Sequence, residues 1–163
     1  MHTTPSAPRW TVAAVDVTDP TAVAIRREYL ADVIASYWGR PATAAEVDAE
    51  DTGDAALAPP TGAFLVGSAD GTDAGCAGVV LVEPGVAELK RLYVRPPLRG
   101  TGGGAALLAA AEAGALALGA RRIRLDTRLD LAAARALYAR RGYRDIAPFT
   151  DDPFAQVFLG KTF

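Results

Sequence analysis

The sequence predicts a mixed α/β fold with a central, mostly antiparallel sheet. Three apolar strand patterns follow one another between residues 63 and 94, separated by turn residues, and so read as a hairpin-connected meander. A glycine-rich loop then leads into a strong helix former. From there strand and helix patterns alternate to the end of the chain.

The elements follow in order. Residues 1–9 read as a loose arm, and Trp10–Val15 alternates like a strand. Asp19-Pro20 pairs an N-cap with proline at the first helical position. Val23, Arg27, Leu30, Ile34 and Tyr37 then recur on one helical face until Gly39 stops it. Thr43 and Glu46 form a capping-box pattern for a short second helix. The acidic run from Glu46 to Asp54 reads as a solvated face. Strands are expected over Ala63–Ser68, Cys76–Val82 and Val86–Val94, with turns at Asp70-Gly71-Thr72-Asp73 and Glu83-Pro84-Gly85. A helix over Ala105–Leu118 ends at Gly119, and Arg122–Thr127 is a strand. Asp130 reads as the cap of a helix that runs to Arg141 and ends at Gly142. Tyr143–Ile146 and Gln156–Gly160 are the last strands, joined by the Pro148–Pro153 loop.

The Val86–Val94 strand has a phase problem. Leu89, Leu92 and Val94 all look like core positions, but a regular strand cannot put all three on one face. One extra residue between Leu89 and Leu92, a β-bulge, restores the phase and splays the strand from a neighbour.

Composition narrows the chemistry. The 163 residues fit one domain, and the only cysteine, Cys76, and only histidine, His2, exclude a disulfide and a Cys-His or Ser-His-Asp mechanism. Cys76 reads as a small buried residue. No cluster has metal-ligand spacing, and no apolar run is long enough to span a membrane. With no signal-peptide pattern, a cytoplasmic protein is expected. Charge is segregated along the chain: residues 1–85 carry 4 basic and 12 acidic side chains, residues 86–144 carry 12 and 4. This either evens out in three dimensions or recruits an anion to one region and a cation to another. The net charge of −2 argues against nucleic acid as a partner.

Arg99-Gly100-Thr101-Gly102-Gly103-Gly104 lies between a strand and a helix. The first N–H groups of a helix lack partners, and the helix dipole is positive there. Glycines let a pyrophosphate approach, and Arg99 adds a cation. The Gly-Lys-Ser/Thr ending of a Walker loop is absent. Gly100 to Ala105 fits the Rossmann pattern G-x-G-x-x-A, with Asp126 about 20 residues on. Against that, Arg95-Pro96-Pro97-Leu98 separates the glycines from the strand, and the preceding strands look antiparallel.

The same loop matches R/Q-x-x-G-x-G/A, the pyrophosphate loop of the GNAT superfamily. Glu88–Pro96 resembles that family's bulged fourth strand, and Ala136-Leu137-Tyr138-Ala139-Arg140-Arg141-Gly142-Tyr143 its A-x-x-L-Y-x-x-x-G-F/Y segment. The resemblance covers roughly residues 63–163. One departure is Leu131, where many members have Asn or Gln. The resemblance implies a GNAT fold with helices on both faces, and a parallel strand pair, before and after the Ala105–Leu118 helix, that separates to admit acetyl-coenzyme A. It implies cofactor contacts at Leu92, Tyr93, Val94, Arg99, Gly100, Thr101, Gly102, Gly103, Gly104 and Ala105. A homodimer is expected on the same ground.

The implied activity is N-acetyl transfer to a small cationic amine by direct attack in a ternary complex. Glu88 is the candidate base, against a surface glutamate paired with Lys90 or Arg91; Tyr138 is the candidate acid, against a core tyrosine. Asp126, Asp151 and Asp152 are candidate substrate contacts, and Asp126 equally reads as a strand end. Tyr29, Tyr37 and Trp38 read as core or as the acceptor side. A degenerate acyl-CoA sensor and a nicotinamide-dependent oxidoreductase are the alternatives.

Overall fold

A computed structural model describes residues 3–163; His2 and part of the expected arm lie outside them. Eleven principal elements follow the expected order: β1 (Trp10–Val15), α1 (Pro20–Trp38), α2 (Ala44–Glu50), β2 (Gly62–Ala69), β3 (Thr72–Glu83), β4 (Val86–Val94), α3 (Gly103–Ala117), β5 (Arg122–Thr127), α4 (Ala132–Arg140), β6 (Arg144–Asp145) and β7 (Val157–Thr162). They form one seven-stranded sheet in the order β1-β2-β3-β4-β5-β7-β6. Every pairing is antiparallel except β4 with β5.

Local chemistry sets most boundaries. The Asp19 carboxylate accepts from the Thr21 N–H at 2.9 Å, Pro20 opens α1, and Gly39 closes it in the left-handed region. The Thr43–Glu46 capping box is formed on both sides. Asp70 and Gly71, at φ 48° and 82°, make the tight turn from β2 to β3.

Helices cover both faces. On one, Leu107, Leu108, Ala111 and Ala115 of α3 pack on Leu65, Val79, Leu89, Ile123 and Leu125. On the other, Ala22 and Ile25 of α1, with Leu57, pack on Phe64, Val66, Cys76 and Tyr93. Leu92 and Val94 join Leu89 on the α3 side, as the proposed phase shift requires. The shift is present: Cys76 faces Tyr93 and Gly78 faces Lys90, so Arg91 and Leu92 stand opposite Ala77 alone.

Three expectations are corrected. The buried face of α1 is Ala22, Ile25, Arg26 and Leu30, whereas Val23, Arg27 and Ile34 are half-buried and Tyr37 is exposed. Arg26 is admitted because its guanidinium meets Asp51 at 3.2 Å and the Val17 carbonyl at 3.1 Å. The acidic run is only partly solvated: Asp51 and Asp54 turn inward to Arg26, Arg27 and Arg91. Asp130 does not cap α4, which starts after Leu131 without a side-chain cap, because Arg128 takes the Asp130 carboxylate at 2.7 and 2.9 Å.

The segregated charges meet across the fold. Glu28 and Asp32, one turn apart on α1, hold Arg95 and Arg99, and Asp54 holds Arg91. Much of the basic segment is thereby matched within the molecule. Among the described residues no helix is long and apolar enough to cross a membrane.

Candidate active site

Paired residues of β4 and β5 run from Val86 opposite Arg122 to Glu88 opposite Arg124, and there the parallel pairing stops. Beyond that point β4 continues through its bulge while β5 continues to Thr127 paired only with β7. The two strands therefore part at Glu88, and the sheet opens into a cleft.

Arg91 makes the bulge and carries a left-handed φ of 58°. A non-glycine side chain is uncommon there and must be held. Its guanidinium clasps Asp54 at 2.9 and 3.0 Å, and the Cys76 thiol donates to its carbonyl at 3.2 Å. The same guanidinium lies 5.8 Å from the Tyr29 ring centre, and Tyr29 meets Tyr93 edge-on at 6.2 Å. Burial pushes the Cys76 thiol up to about 12, so it is an inert core group.

Glu88 is buried at the point of divergence. Its partners are Lys90 at 3.2 Å and Arg124 at 3.2 Å. The expected pairing with Lys90 is present, but Arg91 turns to Asp54, and Arg124 from β5 takes its place. Alternation along the strands puts Glu88, Lys90, Arg124 and Asp126 on the sheet face opposite α3. Asp126 is open to solvent at the cleft wall. Desolvation by that wall, reinforced by the charges of Glu88 and Asp152, raises its carboxyl above the ordinary value against the opposing pull of Lys90 and Arg91.

Tyr138, brought in by α4, has a buried ring that packs on Tyr143 at 5.6 Å. Desolvation first, then proximity to Tyr29 and Asp126, raises its phenol well above the ordinary value. Tyr138 is thus near enough to Tyr29 and Asp126 to feel their charges. Tyr138 remains a neutral hydroxyl donor throughout the working pH range. A phenol is a weaker acid than a thiol to begin with, about 10 against 8.5, and burial widens that gap.

The loop between β4 and α3 forms the other end of the cleft. Gly102, at φ 97°, stands at the N-cap of α3, which has no side-chain cap. Ala106 donates to the Gly102 carbonyl at 3.1 Å, so the N–H groups of Gly103, Gly104 and Ala105 have no helical partner. Gly100 and Gly102 have left-handed backbones with open space where a side chain would start. Arg99 donates to the Val94 carbonyl at 2.9 Å and pairs with Asp32 at 3.2 Å. Thr101 faces inward: its hydroxyl donates to the Leu98 carbonyl at 2.6 Å and accepts from the Trp10 indole at 3.0 Å.

Sequence reasoning missed Trp10, the seat of this loop. Its indole occupies the space a Gly103 side chain would need, so Gly103 is small to let the helix start rest on the first strand. The only sequence signal was a tryptophan in the first strand. Arg124 and Arg128 were also missed. Arg128 is buried and ties β5 to α1 through the Ser36 hydroxyl at 2.8 Å and the Val33 carbonyl at 3.2 Å.

Of the remaining expected residues, Leu92 and Val94 line the splayed half of β4 on the α3 side, while Tyr93 turns toward α1. Asp152 accepts from the Phe154 N–H at 2.9 Å, which shapes its loop. Asp151 is exposed beside it. A cavity of about 400 Å³ lies between the end of α1, the β5–α4 turn and the 153–156 loop. It begins at Arg128, two residues beyond Asp126, and does not include Glu88, Tyr138 or the glycine loop. The sheet order excludes the doubly wound parallel sheet of a dinucleotide-binding fold, since the loop follows an antiparallel meander.

Comparison with known proteins agrees with this fold. The model of the acetyltransferase (GNAT) family matches residues 27–143. An IAA acetyltransferase of Azospirillum brasilense is 38% identical over 94 residues, which make up 57% of this chain and 61% of that protein. The match thus spans less than two thirds of the relative. A crystal structure from Klebsiella pneumoniae subsp. pneumoniae, assigned by name only to the acyl-CoA N-acyltransferases, is 32% identical with a TM-score of 0.70, covering 94% of this chain and 97% of its own. The PaiA N-acetyltransferase of Thermoplasma acidophilum, in complex with coenzyme A, has a TM-score of 0.73 over 95% of this chain and 99% of its own. At 18% identity that likeness is one of fold.

Proposed function

The chain belongs to the GNAT family of acetyltransferases, and on that premise we propose that it moves the acetyl group of acetyl-coenzyme A to the primary amine of a small cationic acceptor by direct attack in a ternary complex. The observation that carries this reading is the uncapped, glycine-walled start of α3 standing beside the parting of β4 and β5.

The residues present fit the cofactor. Three unpartnered N–H groups at Gly103, Gly104 and Ala105, open space at Gly100 and Gly102, and the Arg99 cation suit a pyrophosphate. Thr101 acts through the loop's shape, since its hydroxyl is engaged by Trp10 and Leu98. The backbone of Leu92, Tyr93 and Val94 suits strand-like pairing with the amide-bearing arm, and its N–H groups suit charge developing on the carbonyl oxygen. Acetyl-coenzyme A supplies the activated thioester.

On this reading Glu88 removes the amine proton through a water, because Arg124 and Lys90 already occupy the near side of its carboxylate. Asp126, with Asp152 close by, attracts the ammonium form. Tyr138 donates a hydrogen bond to the leaving sulfur. Net protonation of the sulfur draws on the proton lost from nitrogen, which becomes strongly acidic as the amide forms. The weak acidity of the phenol is then no obstacle.

The test is thermal unfolding with acetyl-coenzyme A, coenzyme A and NADH in separate samples, followed by thiol release with a panel of amines. A ligand at a hundredfold excess over Kd stabilises the folded state by about 2.7 kcal/mol. Stabilisation by acetyl-coenzyme A and coenzyme A with amine-dependent thiol release is expected. Stabilisation without release from any amine would make the chain an acyl-CoA sensor. Stabilisation by NADH alone would overturn the reading.

A further inference from the structure

We propose that the cavity at the C-terminal end of α1 takes an aromatic ring of the acceptor, which is therefore an amine carrying an aryl group on a short apolar arm. The proposal rests on the acetyl-transfer reading above and names the substrate class of the same site.

Half of the cavity's lining is apolar and stays open to solvent. Tyr37, Leu129 and Phe154 are 49%, 57% and 49% exposed, and Pro153 lines the cavity with them. Tyr37 meets Phe154 edge-on at 4.7 Å and its neighbour Trp38 at 4.9 Å. An exposed cluster of aromatic groups near a candidate active site marks a binding surface, since about half of each ring stays open beyond these mutual contacts.

The cation of the cavity is spent, whereas the Asp130 carboxylate stays half exposed. Arg128 gives its donors to both Asp130 oxygens, the Ser36 hydroxyl and the Val33 carbonyl. The Gln156 side-chain oxygen accepts from the Leu129 N–H at 3.0 Å. An anionic group placed there would find the Arg128 cation engaged, and a flat apolar group would find edge and face contacts. A polyamine leaves these walls wet.

The charges at the rim complement an amine. Asp126 lies two residues before Arg128 on the same chain segment, roughly 7 Å away at strand spacing. Asp151 and Asp152 immediately precede Pro153. Asp152 is near enough to Asp126 for its charge to act on that carboxyl. A ring seated against Tyr37 and Phe154 thus places an amine, a few bonds away, beside Asp126 and toward Glu88.

The test compares kcat/KM for 2-phenylethylamine, n-butylamine and putrescine with saturating acetyl-coenzyme A, in the full chain and in Tyr37→Ala and Phe154→Ala. Both substitutions are at exposed positions, and far-UV circular dichroism checks the fold. The aryl amine is expected to be favoured at least tenfold over both others, and each substitution to reduce that preference about tenfold, through KM. A preference for putrescine, or an aryl-to-alkyl ratio that neither substitution moves, overturns the proposal while leaving acetyl transfer standing. So does a dimer in sedimentation that both substitutions convert to monomer, since the patch would then be a self-interface. Lack of stabilisation by acetyl-coenzyme A removes the underlying reading, and this one with it.

Discussion

Arg91 and Asp54 both hold left-handed backbones, at φ 58° and 48°, and clasp each other through two hydrogen bonds of 2.9 and 3.0 Å. One lies at the bulge of β4 and the other in the segment after α2. Each supplies the counter-charge that keeps the other in an unfavoured conformation. Removing one partner leaves a largely buried charge unpaired, so Asp54→Ala should cost about 3 kcal/mol in urea unfolding. Arg91→Gly should cost about 1 kcal/mol less than Arg91→Ala, because glycine removes the left-handed penalty while both lose the clasp.

The glycine loop rests on Trp10. Gly103→Ala drives a methyl group into the indole and should destabilise by about 2 kcal/mol, with weaker acetyl-coenzyme A binding by calorimetry. Gly104→Ala meets only the end of Leu137 at 3.1 Å and gains helix propensity of about 1 kcal/mol, so its stability should stay close to that of the parent.

The proposed proton path can be tested by substitution. Glu88→Gln should lower kcat about 100-fold. Tyr138→Phe should lower kcat while leaving stabilisation by coenzyme A intact. Asp126→Asn should act mainly on acceptor KM. Its effect on stability has a definite sign. The native carboxyl is raised, so the native state binds more protons between the unfolded and native values, and stability falls as pH rises through that window. Asp126→Asn should therefore raise the melting temperature at pH 7, with the gain vanishing below pH 3.8. A lower melting temperature at pH 7 would contradict this account.

Glu46 shows the opposite linkage. Its carboxylate accepts from the two Arg40 nitrogens at 2.8 and 3.1 Å and from the Thr43 N–H, which lowers it from 4.5 to about 2. The contribution is full above the unfolded value and is lost as pH falls through about 2. Glu46→Gln should melt lower than the parent at pH 7 and match it near pH 2 in scanning calorimetry.

Cys76 should resist a thiol reagent such as Ellman's at pH 8 in the folded chain and react at once in urea. Rapid reaction in the folded protein would show that the strand beneath Arg91 opens.

Local signals were legible because each is written in adjacent residues. The phase of Leu89, Leu92 and Val94 located the bulge, and Thr43 with Glu46 announced its helix. What stayed hidden depends on partners distant in sequence. Arg26 reads as a polar position and is buried, because Asp51 waits 25 residues later. Asp130 looks like a helix cap and instead serves Arg128, which is itself called to α1. Glu88 was legible as a candidate from its place beside the bulge, whereas Arg124 as its partner follows only from the parallel register of β4 and β5. Tyr37 fell on a helical stripe that the sheet does not reach.

The Asp32–Arg99 pair bears on how the proposed cofactor would bind. The cation at the mouth of the glycine loop already has an anion on α1, so a phosphate that engages Arg99 competes with a resident carboxylate. Affinity then reflects the difference between two ion pairs, and the site discriminates by exchange: a weakly charged intruder gains too little to displace Asp32, while a pyrophosphate backed by three open N–H groups can.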